Sequence, residues 1–401
     1  MANKHLDWPF LEDSHRTLGA AVTAWLRGLP PAAAAAGVSP ADPTSADAAC
    51  RSWVRQLGAA GFLRSAVPAP WGGAHARIES RALCVLREAL AEHDALADFA
   101  FAMQGLGSGA IALEGNEDQR RHWLPKVADG SAIAAFALSE PACGSDAAAL
   151  TATGVRDGDG WRLDGEKTWI LNGGIADFYC VFVRTEPDAR PAKGITAFLV
   201  PADAKGLMVH ERIGVMSPHP LATIRLNGCR LPDAARIGAP GTGFALAMRT
   251  LDIFRVSVAA AATGFARRAL ADTLRHAQDR AMFGATLAAQ PLAQAILGDM
   301  ATDVDAAALL TYRAAWERDT SDARVTKSAA MAKLGATEIA QRVIDMAVQL
   351  HGARGVVYGS VVERLYRDIR ALRIYEGATE VQRMLVGREA VAELRTEPKE
   401  S

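Results

Sequence analysis

Along the chain the spacing of apolar positions changes character twice. From about Ala46 to Leu124, apolar residues recur at three and four, as in Trp53, Leu57 and Ala60 and again in Leu83, Leu86 and Leu90; this is the period of helices with one buried face. From about Ala134 the pattern breaks into short runs rich in aromatic and β-branched residues: Thr151-Ala-Thr-Gly-Val155, Trp161-Arg-Leu-Asp-Gly165, Asp177-Phe-Tyr-Cys-Val-Phe-Val183 and Ile195-Thr-Ala-Phe-Leu-Val200. Closed by Gly, Asp or Pro, such runs predict antiparallel strands. After Gly238-Ala-Pro-Gly-Thr-Gly243 the helical period returns, from Phe244 to about Arg395. Helices, then strands, then helices predict an α+β chain, mainly α, because a doubly wound parallel sheet needs strict alternation of the two. Leu29-Pro-Pro-Ala, continuing to Ser45, reads as a turn-rich surface connection.

Composition narrows the function. With 401 residues the chain exceeds one ordinary core. Lys plus Arg is 44 and Asp plus Glu is 45, a net charge of −1, so no global field draws in phosphate backbones or anionic lipid, and nucleic acid is not expected as a partner. Charge, Gly or Pro interrupts each long apolar run, so no membrane span is expected. Met1 to Leu11 carries neither a signal-peptide nor a transit-peptide pattern, and the expected location is cytoplasmic. Five cysteines, odd in number and never in Cys-x-x-Cys, predict buried reduced thiols. No metal-binding spacing, Gly-x-Ser-x-Gly elbow or dinucleotide fingerprint is present; Gly105, Gly107 and Gly109 read as turn or helix-packing glycines.

Four segments remain that could carry chemistry. Phe136-Ala-Leu-Ser-Glu-Pro-Ala-Cys-Gly-Ser-Asp146 crowds small polar and turn residues behind an apolar run, which reads either as a loop whose amides meet a ligand or as a plain strand exit. Asp164-Gly-Glu-Lys-Thr-Trp-Ile-Leu-Asn-Gly-Gly174 reads as a hairpin turn followed by Trp169 in a strand. Arg280-Ala-Met-Phe-Gly284 places a guanidinium beside a turn, suited to a phosphate or to plain solvent exposure. In Arg373-Ile-Tyr-Glu-Gly-Ala-Thr-Glu-Val-Gln-Arg383, Thr379 and Gln382 have capping-box spacing, which predicts a helix from Glu380 and leaves Glu376 in the preceding loop. A carboxylate between Ile374, Tyr375 and Gly377 reads either as a desolvated base or as a solvated loop residue.

In order and spacing these segments resemble the acyl-CoA dehydrogenase family, and the resemblance covers the chain from about Trp53 onward. Gln349-Leu-His-Gly352-Ala-Arg-Gly355, Gly115-Asn-Glu-Asp-Gln119 and Trp123-Leu-Pro125 add to it. The resemblance implies an N-terminal helical domain (1–125), a central antiparallel β domain (126–236) and a C-terminal four-helix bundle (237–401), with FAD as cofactor. Phe136, Leu138, Ser139, Trp169, Ile170, Leu171, Arg280, Phe283 and Thr379 are implied to bind the cofactor, and Gln349 and Gly352 the cofactor of a neighbouring subunit in a homodimer or homotetramer. Ser145, Arg255, Tyr375 and Gly377 are implied on the substrate side.

Glu376 is the implied base, taking the α-proton of an acyl-CoA thioester while the β-hydride leaves for flavin N5. Electron-transfer flavoprotein is the implied acceptor. Some members place the base before an arginine at the start of the C-terminal domain; here that pair is Phe254-Arg255, and phenylalanine accepts no proton. Leu171 replaces a usual Thr or Ser, and Gln290-Pro291 replaces a usual aromatic-or-His then Gln pair. An acyl-CoA oxidase, a flavin monooxygenase of the same fold and a catalytically idle flavin-binding oligomer are the alternatives. Phe99, Phe101 and Met103 are implied near the acyl pocket.

Overall fold

The computed structural model describes residues 4–29, 39, 41–321 and 325–396; most of the predicted connection after Leu29, at 30–38 and 40, lies outside the described residues. The N-terminal helices are α1 (Asp13–Gly28), α2 (Asp47–Ala59), α3 (Ser80–His93), α4 (Ala95–Glu114) and α5 (Glu117–Ala128). Eight strands follow: β1 (Ala134–Ala137), β2 (Thr153–Asp157), β3 (Gly160–Leu171), β4 (Phe178–Arg184), β5 (Ile195–Pro201), β6 (Leu207–Arg212), β7 (Leu221–Pro232) and β8 (Arg236–Ile237). Helix α6 (Gly243–Asp279) leads to a short ribbon of β9 (Ala281–Met282) and β10 (Ala285–Thr286), then α7 (Pro291–Thr320), α8 (Thr326–His351), α9 (Val361–Leu372) and α10 (Thr379–Thr396). The expected α+β class, mainly α, is the observed one.

Two compact units emerge. One holds α1, α3, α7 to α10 and α6 from Arg255; the other holds α2, α5, the sheet, α4 from Phe99 and α6 up to Phe254. The first unit is built on Val256, Phe265, Met300, Tyr312, Val343, Ile344 and Ile369. Its helices come close because the facing residues are small: a Cβ on Gly264 would stand 2.3 Å from the Glu88 carbonyl oxygen of α3. Glu88 itself is buried and ties three elements together, receiving Arg267 Nε at 2.6 Å and Tyr312 OH at 2.8 Å, with His5 Nε2 at 3.0 Å.

The second unit packs Ile111, Leu124, Phe178, Phe182, Ile195, Leu199 and Ile237 in its core. The strand order is β6-β7-β3-β2-β4-β5-β8, with β1 alongside β4. The pairing is mostly antiparallel as expected, except that β1 and the start of β2 run parallel to β4. Strands β6 and β7 escape the predicted pattern, since β6 is a largely exposed edge strand with no apolar alternation to read. The hairpin turn expected at Asp164-Gly165 is also displaced. The chain reverses instead at residues 157–160 between β2 and β3, and Gly165, with φ of 139°, is a bulge inside a continuous strand.

Helix α4 has the length and hydropathy of a membrane span, but 83% of that window is buried within the protein. Its glycines are packing glycines, as one of the two readings had it: Cβ atoms on Gly105 and Gly109 would stand 2.4 Å and 2.7 Å from Phe254 and Thr250 side-chain atoms. Pro291 takes the first turn of α7, where the missing N–H costs nothing. The five cysteines are free and buried.

These contacts predict opposite signs for two chemically identical changes. In Gly107→Ala the new methyl meets Ala134 carbon atoms of β1 at 2.6 Å, so the thermal midpoint should fall, by the equivalent of about 1–3 kcal/mol. In Gly298→Ala, where nothing lies within 4 Å, it should rise by about 0.5–1 kcal/mol of helix propensity. Calorimetric midpoints of both variants against wild type check the pair.

Candidate active site

Helix α9 ends at Leu372, and the chain turns through Arg373 to Ala378 before α10 begins. The loop is closed on itself by the Thr379 amide donating to the Arg373 carbonyl at 3.1 Å, and α8 grips it at three places. Glu338 receives Arg373 Nε and Nη2 at 2.8 and 2.9 Å and the Thr379 hydroxyl at 2.8 Å. One and a half turns earlier, Lys333 Nζ donates to the Gly377 carbonyl at 2.7 Å. The predicted capping box is therefore not formed. Helix α10 includes Thr379, whose hydroxyl is committed to Glu338, and the Gln382 side chain turns back to the Gly377 carbonyl at 3.2 Å.

Within this loop Glu376 has φ of 52° and Gly377 φ of 98°. Left-handed backbone at a glutamate costs on the order of 1–3 kcal/mol and persists only where the surroundings enforce it. Four non-glycine residues among those described have positive φ, and three of them, Trp169, Phe283 and Glu376, are site residues expected from the sequence. Both Glu376 carboxylate oxygens are out of solvent, with no hydrogen-bond donor among the described residues. Burial raises its pKa above the ordinary carboxylate range, against the pull of Arg87, Lys333 and Arg255. A carboxylate in that state is a stronger base than one in water.

The surrounding charges are fixed. Arg87 of α3 is fully buried, with Nε and Nη2 on the two Asp98 oxygens at 2.8 Å each and Nη1 on Ser257 Oγ at 3.0 Å. Burial above all raises the Tyr375 hydroxyl's pKa. Arg255 is buried on α6. Lys333 is buried as well, and loss of water brings its pKa down to about 8.

Elsewhere in this unit, Arg280 follows the last residue of α6, and Phe283-Gly284, both at positive φ, turn the β9–β10 ribbon with Phe283 88% exposed. The ends of α6 and α8 meet in a stacked His276–His351 pair, ring centroids 4.3 Å apart. Burial lowers the His276 pKa, and His351, Arg354 and Arg280 lower it further, so Arg280 shares a positive cluster with the end of α8, where exposed Gln349 and Gly352 lie.

In the second unit, Phe136 lies in β1 beside Phe182, Leu138 is buried, and Ser139 accepts the Thr168 amide through its carbonyl. The loop to Asp146 is held by Glu140, which receives Lys167 Nζ at 2.7 Å and the amides of Thr151 and Ala152 at 2.7 and 2.9 Å. Burial pushes the Glu140 carboxyl up, but Lys167 and these donors outweigh it, so the net shift is downward. Anchored in this way, the loop leaves Ser145 exposed. Ile170 is buried, Leu171 is half-buried, and Trp169 between Thr168 and Ile170 turns outward, 58% exposed at φ of 59°.

Sequence reading missed Arg87, Asp98, Ser257, Lys333 and Glu140. The available signal was a charge on an apolar face: Arg87 stands among Leu83, Leu86 and Leu90, and Lys333 in the alanine-rich stretch from Ala329 to Ala340.

The Arg87–Asp98 pair yields a stability prediction. Asp98→Ala leaves a buried guanidinium without its anion and should cost about 3–5 kcal/mol, while the double change Arg87→Met, Asp98→Leu should recover most of that loss. Chemical denaturation midpoints of the single and double variants check it; equal losses in both would contradict the charge argument.

Sequence profiles of the acyl-CoA dehydrogenase N-terminal, middle and C-terminal domains match residues 20–131, 135–229 and 241–391. The chain is 37% identical over 335 residues to a probable acyl-CoA dehydrogenase of Mycobacterium tuberculosis, covering 83% of this chain and 85% of that protein. It is also 37% identical over 337 residues to the human mitochondrial short-chain specific acyl-CoA dehydrogenase, covering 83% and 81%. The structure of butyryl-CoA dehydrogenase from Megasphaera elsdenii superposes with a TM-score of 0.87 at 28% identity, over 95% of this chain and 99% of that one. With all three domain profiles and both relatives in agreement, the chain belongs to the acyl-CoA dehydrogenase family, oxidoreductases acting on acyl-CoA.

Proposed function

We propose that this protein desaturates the α,β bond of an acyl-CoA thioester with Glu376 as the base. The observation that carries this reading is the Glu376 carboxylate itself, desolvated, without a donor among the described residues and locked in left-handed backbone beside Gly377. An α-C–H is too weakly acidic for a water-exposed carboxylate, and two features act on that gap. Burial strengthens the base, and a hydrogen bond from the Glu376 N–H to the thioester oxygen would spread the charge that develops as the proton leaves. Arg87, Lys333 and Arg255 oppose the upward shift that burial produces, and so favour the unprotonated form that a base requires. Tyr375, Gly377, Arg255 and Ser145 are the proposed substrate-side residues.

The residues present fit FAD. Outward-turned Trp169 offers an aromatic face, and Phe136, Leu138, Ser139, Ile170 and Leu171 are the other proposed contacts. Arg280, near Arg354, suits a diphosphate, with Phe283 and Thr379 on the same cofactor and Gln349 and Gly352 on that of a neighbouring subunit. Bound FAD would supply the two-electron hydride acceptor that no side chain can provide. Electron-transfer flavoprotein is the proposed acceptor, and the proposed setting is a cytoplasmic homodimer or homotetramer of chains divided at 1–125, 126–236 and 237–401. A short acyl group agrees with Phe101 and Met103 being buried on α4 and with the short-chain and butyryl-CoA specificities named for two relatives.

The test is anaerobic mixing of the FAD-loaded protein with butyryl-, isobutyryl-, octanoyl-, glutaryl- and phenylpropionyl-CoA, following loss of flavin colour. At least one thioester should bleach the flavin. Glu376→Gln should slow bleaching by roughly 10²–10⁴-fold or more while FAD content and thioester affinity stay near wild type. Near wild-type bleaching in Glu376→Gln would place the base elsewhere. Reoxidation by oxygen as fast as by electron-transfer flavoprotein would favour the oxidase reading over the dehydrogenase.

A further inference from the structure

Lys333 is a buried cation without an ion pair among the described residues, and its ammonium is committed to a backbone carbonyl one residue past the proposed base. That carbonyl, of Gly377, has a second donor in Gln382 Nε2, which leaves no room for a side chain: a Cβ on Gly377 would stand 2.1 Å from that nitrogen. Two donors on one oxygen fix the plane of the peptide that follows Gly377, the residue that adjoins Glu376 and shares its positive φ. A neutral amide would serve that purpose without the cost of burying a charge, so the charge itself calls for an explanation.

Its strongest charge interaction is with Glu376, ahead of Arg255, Glu338 and Glu380. Glu376 in turn is faced by Arg87 from α3, Arg255 from α6, Asp98 from α4 and Lys333 from α8. Arg87 is already neutralised by a two-point bond to Asp98. Lys333 has no such ion-pair partner among the described residues, and of the acids around it Glu376 is the one it interacts with most.

We infer that Lys333 is a positioning residue for Glu376: its ammonium holds the Gly377 carbonyl and supplies a positive charge, with no ion pair of its own among the described residues, that helps the neighbouring carboxylate to ionise. This rests on Glu376 as the base, but the two can fail separately. Removing the cation makes ionisation of Glu376 harder, so its titration should move to higher pH. A neighbouring charge in a protein interior is worth on the order of one pH unit or more, about tenfold less ionised base on the acid side.

The deciding measurement is an infrared titration of the FAD-loaded protein, with the Glu376→Gln spectrum subtracted in each background to isolate the Glu376 carboxylate band. Lys333→Met should shift the midpoint up by about one unit or more, and Lys333→Arg should restore it to within a few tenths. Lys333→Gln keeps a donor for the Gly377 carbonyl and replaces Lys333→Met if that variant does not fold; it should shift the midpoint as Lys333→Met does. A midpoint unmoved in the folded neutral variant overturns the inference, even if the variant is less stable, and leaves Glu376 as the base. Near wild-type flavin bleaching in Glu376→Gln overturns the base reading, and this inference with it, whatever Lys333 does.

Discussion

A carboxylate deprived of water and of hydrogen-bond donors is held ionised only by positive charges fixed nearby, and much of the helical unit is arranged around that constraint. Among the described residues Glu376 has no hydrogen-bond donor. The cations around it come from three helices distant in sequence: Arg87 on α3, Arg255 on α6 and Lys333 on α8. None bonds the carboxylate directly, which would satisfy it and blunt it as a base. The helix packing that brings these groups together depends on small residues, such as the buried run from Val256 to Ala262 and Gly264 against the α3 backbone. Core packing and base strength are thus set by the same contacts.

The loop that carries Glu376 is held by the same logic. Its backbone is strained at two consecutive residues, and strain of that kind relaxes unless both ends are fixed. Glu338 fixes the ends by taking Arg373 and Thr379 together, and Lys333 fixes the middle. Both gripping residues lie on α8, five positions apart. A rigid helix defines the loop's conformation, and the loop's own sequence needs only a glycine where Gln382 comes close and a left-handed turn is required.

Much of the fold was legible in the sequence because its signals are local. The helical period before Leu124 and after Phe244 and the β-branched runs between them place most elements within a few residues. Where reading failed, a non-local partner had intervened. Thr379 has the spacing of a cap but gives its hydroxyl to Glu338, which no spacing rule can see. Asp164-Gly165 has the chemistry of a hairpin turn, yet β7 pairs on both sides of it and turns it into a bulge. Strand β6 lies at the sheet edge, where solvent removes the alternation that marks a strand. The same distinction divides the candidate site: Glu376, Arg280 and Trp169 belong to recognisable short motifs, whereas Arg87, Asp98, Lys333 and Glu140 act through partners 11 to 44 residues away.

The buried pairs differ in a way that separates support from chemistry. Glu140 with Lys167 and Arg87 with Asp98 are closed systems, each charge meeting its opposite directly at 2.7–2.8 Å. Such pairs contribute little net stability over an apolar substitute, but they fix geometry, one holding the loop before Ser145 and the other joining α3 to α4. The Glu376 carboxylate and Lys333 are buried and of opposite charge, yet among the described residues neither forms an ion pair; Lys333 bonds the Gly377 carbonyl instead. Desolvation raises the pKa of the acid and lowers that of the amine, which brings the two titrations towards each other. A fold selected for stability alone would close that gap with a direct ion pair. Keeping it open preserves a carboxylate that still has a proton to gain, the one property that a base cannot do without.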